Sequence, residues 1–144
     1  MMIKTNKVGL ISCVKSKKDY TCRAEEMYSK STLFNYSLKY LKKLECEYIY
    51  ILSAKYGLLD LNTIISPYNQ TLLNSSEHYK NTWYKKIISD LNRKHNLKND
   101  KFIIVAGIEY YKGLLPYLKD YEIPLKGMTI GKRLKYLKNI TKNG

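Results

Sequence analysis

The chain has 144 residues, 44% of them hydrophobic, which is enough for one domain with a real core and hardly enough for two. No apolar run approaches the roughly 20 residues that span a bilayer, and the lysine-dotted start lacks a signal-peptide hydrophobic region, so a cytoplasmic protein without a membrane partner is expected. The net charge of +14 invites a nucleic-acid partner, yet only Arg23, Arg93 and Arg133 are arginines, and such a lysine-rich bias also follows from AT-rich codons.

In chain order, the first apolar segment is Val8 to Val14 (VGLISCV), a near-continuous hydrophobic run that predicts a strand buried on both faces. Thr32 to Leu44 follows with Leu33, Tyr36, Tyr40, Leu41 and Leu44 largely on one stripe and Lys39, Lys42 and Lys43 opposite, which predicts an amphipathic helix. Tyr48 to Ala54 (YIYILSA) is a second strand. A helix then opens at Ser75-Ser76-Glu77-His78, with Tyr79, Trp83, Ile87, Ile88 and Leu91 on its apolar face. Phe102 to Ala106 (FIIVA) is a third strand and Glu109 to Leu118 a shorter helix. A weaker strand lies near Tyr121 to Pro124, and Ile130 to Asn139 closes the chain as a helix. The alternation predicts a single α/β domain over residues 1–144: a three-layer, Rossmann-like sandwich around a mainly parallel sheet of about four strands.

Ligands of such sheets sit beyond the carboxyl ends of the strands, so the residues there are the candidates. After the first strand come Ser12, Cys13, Lys15 and Lys17, small residues and lysines able to form an anion-binding turn. Cys13 reads either as a nucleophile activated by lysines or as a small core filler. No histidine pairs obviously with it, since His78 and His95 both read as exposed on helices. With Cys22 and Cys46 it forms neither a metal-ligand pair nor an even disulfide set, so no metal site is expected. After the second strand, Ser53-Ala54-Lys55-Tyr56-Gly57 replaces an ordinary polar turn, and Gly57 permits a positive φ or a close backbone approach. Ser66-Pro67-Tyr68-Asn69 then presents an aromatic and an amide beside a rigid proline. After the third strand, Gly107 leads into Glu109 and Tyr110 at the first turn of a helix. Gly127 to Arg133 reads as a glycine-flanked helix start that can hold a phosphate or carboxylate.

The segments LISCVKSK, ILSAKYGLLDLNTIISPYNQTL, VAGIEYY and PLKGMTIGKRLKYL closely resemble the domain of unknown function 6884 family, in order and along nearly the whole chain. The same skeleton looks like a compact relative of the YaaA proteins, through Leu10, Ile11, Ser12 and Lys15, then Tyr56, Gly57, Leu58, Leu59, Pro67 and Tyr68, then Glu109 and Tyr110. A fainter similarity, on Cys13 and Lys17, is to the core domain of archaeosine synthases, from which Ser12, Lys18 and Asp19 depart. These resemblances imply a strand-end pocket for a nucleotide, nucleoside or modified nucleobase. The YaaA likeness also implies DNA binding, although this chain has no room for the helix-hairpin-helix region of the full-length proteins.

Taken with the residues, the expectation is a nucleotide-type small-molecule partner and no cofactor. Lys55 would act as electrostatic catalyst or anchor and Glu109 as acid/base in cleavage or transfer at a glycosidic bond. Lys15 or Lys17 would hold phosphate, Tyr56, Tyr68 and Tyr110 would form walls, and Asn69 would orient the base. A non-catalytic binding module, for nucleic acid or for a small nucleotide, is the alternative, and fifteen tyrosines would also suit a homo-oligomer face.

Overall fold

The apolar runs become neighbouring strands. The computed structural model describes residues 5–142. Its strands are β1 (Lys7–Ser12), β2 (Cys22–Arg23), β3 (Tyr48–Ser53), β4 (Gly57–Asp60), β5 (Ile64–Ile65), β6 (Lys101–Val105) and β7 (Asp120–Glu122). Its helices are α1 (Ala24–Met27), α2 (Thr32–Lys43), α3 (Glu77–Lys94), α4 (Ile108–Tyr111) and α5 (Ile130–Thr141).

The main sheet has five strands in the order β4-β3-β1-β6-β7. β1 lies at its centre, parallel to β3 with Leu10 beside Tyr50, and parallel to β6 with Leu10 beside Ile104. β7 extends the parallel part at one edge, displaced slightly from its expected place. The unbroken apolar runs are explained by burial on both faces: Val8, Leu10, Ile51, Leu52, Phe102 and Ile104 are fully buried. A Cβ on Gly9 would stand 3.1 Å from Leu41 of α2, so that helix rides on one face of β1, and α2 in turn packs along α5. The end of α3 reaches Tyr50, whose hydroxyl lies 2.7 Å from His95 Nε2.

Three expectations need correction. The sheet has five strands rather than four, because Leu58-Leu59 does not merely return the chain to the core. Gly57 adopts φ +79°, the left-handed region open to glycine, and lets the chain double back as β4 with Ser53 opposite Gly57 and Ile51 opposite Leu59. The expected helix from Glu109 to Leu118 stops at Tyr111 and resumes only as a 3-10 turn over Leu115–Tyr117. Pro116 cannot donate within a helix, and Gly113 passes so close to Tyr84 that a Cβ there would lie 2.2 Å from the ring. The α3 helix opens as expected directly after the serine pair, with Ser76 capping it by accepting from Tyr79 N at 3.1 Å. Finally, His95 is buried rather than exposed, held between Tyr48, Tyr50 and Asp100, whereas His78 is exposed as expected.

Candidate functional site

β1 and β6 are neighbours whose onward connections diverge, one towards β3 and the other towards β7, which makes their carboxyl ends the switch point where ligands of open α/β sheets sit. The chain leaving β1 is tied across to β3 by Cys13 N donating to the Leu52 carbonyl at 3.0 Å. The Cys13 thiol then donates to Tyr110 Oη at 3.5 Å, and the same phenol accepts from Leu72 N at 3.4 Å. Both Cys13 and Tyr110 are buried.

Beside them lies a chain of hydroxyls. Ser53, the last residue of β3, donates to Tyr68 Oη at 2.8 Å and accepts from Tyr56 N at 3.0 Å. Tyr68 Oη also lies 2.6 Å from Tyr28 Oη, and the Tyr56 ring meets Tyr68 edge-on at 5.5 Å. Burial raises Tyr28, Tyr68 and Tyr110 above the ordinary phenol value, so these groups stay protonated at neutral pH. The site is therefore a neutral, donor-rich wall. It is braced from α3, where Trp83 Nε1 donates to the Ser53 carbonyl at 2.8 Å and Tyr79 Oη to the Ala54 carbonyl at 2.6 Å.

Lys17 is the cation of this wall. Its ammonium lies 4.5 Å from the centre of the Tyr68 ring and donates to the Lys15 carbonyl at 3.3 Å. Burial pulls it below the ordinary lysine value of 10.5, with Cys13 opposing. Among the described residues no carboxylate comes within ion-pair distance of it. An ammonium that is partly desolvated, without a counter-ion, and set against phenols is electrostatically ready for an anion.

The other expected residues are distributed around this centre. Lys55 is exposed at the β3–β4 turn with its ammonium 5.3 Å from the Tyr56 ring centre, and Lys15 is exposed. Asn69 is exposed and lines a separate cleft of about 360 Å³ with Thr71, Asn74, Ser76 and Tyr79. Ser12 faces a small cavity between α2 and α5. Gly107 precedes α4 and accepts from Tyr110 N at 2.9 Å, which orients the Tyr110 phenol. Gly57 serves the hairpin, with Lys86 the nearest side chain to its missing Cβ.

Glu109 is doubly ion-paired, 3.2 Å from Lys80 and 3.1 Å from Lys112. Hydrogen bonds from Lys112 and Lys80 hold its carboxyl below the ordinary value of 4.5, so it is an ionised group at neutral pH. Sequence reasoning passed over Tyr28, which follows a four-residue helix too short to show periodicity, and the bracing roles of Trp83 and Tyr79. Among the described residues no three His, Cys, Asp or Glu side chains are grouped to hold a metal ion, and no helix is long and apolar enough to cross a membrane.

The strand-end residues lie within a stretch, residues 8–139, that matches one family model. The chain belongs to a family of unknown function, DUF6884. No curated protein and no solved structure matches it.

Proposed function

We propose that the strand-end wall binds a nucleotide, nucleoside or modified nucleobase, set in the three-layer, Rossmann-like frame that the strand–helix alternation predicts. The observation that carries the reading is Lys17: a half-buried ammonium that, among the described residues, has no carboxylate partner, placed over Tyr68 at the carboxyl ends of the parallel strands. Tyr56 and Tyr68 offer aromatic surface to a base, Ser53 and the neutral phenols offer hydrogen bonds, and Lys17 with the exposed Lys55 and Lys15 offers charge to a phosphate. Cleavage or transfer at a glycosidic bond is the reaction this set favours. In it Lys55 anchors the ligand, and the ionised Glu109 stabilises developing positive charge on the sugar rather than giving up a proton.

A second reading, nucleic-acid binding, draws on one observation. The paired helices α2 and α5 carry Lys39, Lys42, Lys43, Lys132, Arg133, Lys135 and Lys138 and no acidic residue. A thermal-shift panel of nucleosides, nucleotides, deazapurines and short oligonucleotides at two salt concentrations separates the two. The pocket predicts saturable stabilisation by a small molecule at both salts. Stabilisation by oligonucleotide alone, lost at high salt, favours the second reading and defeats the first.

A further inference from the structure

The helix start from Gly127 to Arg133 is not used by the strand-end wall, and the structure gives it a different neighbour. Gly127 adopts φ +79° and swings the chain so that Thr129 caps α5, accepting from Lys132 N at 3.3 Å. That places Arg133, in the first turn of α5, beside a small cavity at the ends of β1 and β6, lined also by Ser12 and by Ser37 of α2. The remaining walls are apolar, among them Ile11, Leu33, Val105 and Leu125. The cavity measures about 30 Å³, roughly twice the 10–15 Å³ that one water needs.

Its polar groups are underused. Arg133 is half-buried, and its Nε donates to the Met128 carbonyl at 3.0 Å. Among the described residues its two terminal nitrogens meet no acceptor and no carboxylate. Ser37 is only 3% exposed, and among the described residues its hydroxyl has no hydrogen-bond partner either. Neither group is sealed from water: Arg133 is half-buried, and the Ser37 hydroxyl is not among the described residues' fully buried side-chain atoms left without a partner. A guanidinium whose terminal nitrogens are free recognises an acceptor with two adjacent oxygens, which fits its fork.

We infer that Arg133, Ser37 and Ser12 form an oxyanion pocket that takes the carboxylate or phosphate-monoester head of a ligand. Arg133 grips two oxygens through its terminal nitrogens, and the two serines donate from α2 and from the end of β1. The pocket shares Ser12 with the nucleotide reading but does not depend on Lys17, so either assignment can fail alone.

The test is a titration of ¹⁵N-labelled protein with inorganic phosphate and, separately, with acetate, at constant ionic strength set by chloride. The expected result is saturable movement of the Arg133 Nε–Hε signal and of the Ser12 and Ser37 amides. The anion that saturates at lower concentration identifies the head group. Arg133→Gln should weaken that binding about tenfold or more, as loss of a charged hydrogen-bonded pair does. Arg133→Lys, which keeps the charge but not the fork, should weaken it as well, and Lys17→Ala should leave it intact. Shifts that rise linearly for both anions, or saturation that survives Arg133→Gln, overturn the pocket. Phosphate binding lost in Lys17→Ala but kept in Arg133→Gln overturns it too, and puts the anion at Lys17.

Discussion

Tyr68 Oη is shared between Ser53 and Tyr28, and through Ser53 it is linked to the backbone of Tyr56. Tyr68→Phe keeps the ring and removes both side-chain bonds, leaving Tyr28 and Ser53 short of a partner. Urea unfolding should report a loss of about 1–2 kcal/mol. Lys17 makes the opposite forecast: because its ammonium is desolvated without an ion pair, Lys17→Ala should leave the unliganded melting temperature unchanged or slightly raised while abolishing any nucleotide-induced shift. A clear fall in intrinsic stability would make Lys17 a structural residue. At this scale the sequence was readable where a residue follows a long apolar strand: Cys13, Ser53, Tyr56 and Tyr110 all converge on the wall. It was silent on Tyr28 and on Ser37 beside Arg133, because those juxtapositions are made by packing between distant segments and leave no local spacing to read.

The elements follow the same division. β1, β3 and β6 were legible because double-sided burial demands uninterrupted apolar runs, and α2, α3 and α5 because their caps and stripes are local. β4 was not, since Gly57-Leu58-Leu59-Asp60 is too short to alternate convincingly and its pairing depends on one positive φ. The break after α4 was hidden for a related reason: Gly113 matters through Tyr84, which lies on α3. The Tyr84 hydroxyl donates to the Glu109 carbonyl, and burial pushes its pKa up to about 12, so this contact joins two helices through a neutral phenol. Gly113→Ala should destabilise by about 1–3 kcal/mol through overpacking. In a Tyr84→Leu background the added cost should shrink by at least about 0.5 kcal/mol, the non-additivity expected of touching residues. Full additivity in a double-mutant cycle would refute the contact.

For the molecule as a whole, two buried or ion-paired groups set the acid side of the stability curve. Burial lowers His95 below its ordinary 6.5, with Asp100 opposing, so the unfolded chain takes up this proton first. The stability His95 permits is complete above about pH 6.5 and declines as pH falls towards its folded value. Glu109 is lowered below 4.5 by Lys112 and Lys80, and its contribution is present above that value and lost as pH falls through its folded one. Denaturant unfolding at stepped pH should show both declines, and His95→Gln should remove the upper one alone. The chain belongs to a family of unknown function, and the nucleotide reading proposed for it rests on Lys17, half-buried and, among the described residues, without an ion pair. The most direct measurement is calorimetric titration of wild type and Lys17→Ala with a panel of nucleosides and nucleotides at low and high salt. One-to-one, saturable binding of a nucleotide-type ligand at both salts, absent in Lys17→Ala, is the predicted result. No heat from any small ligand, or binding that Lys17→Ala leaves unchanged, would contradict it.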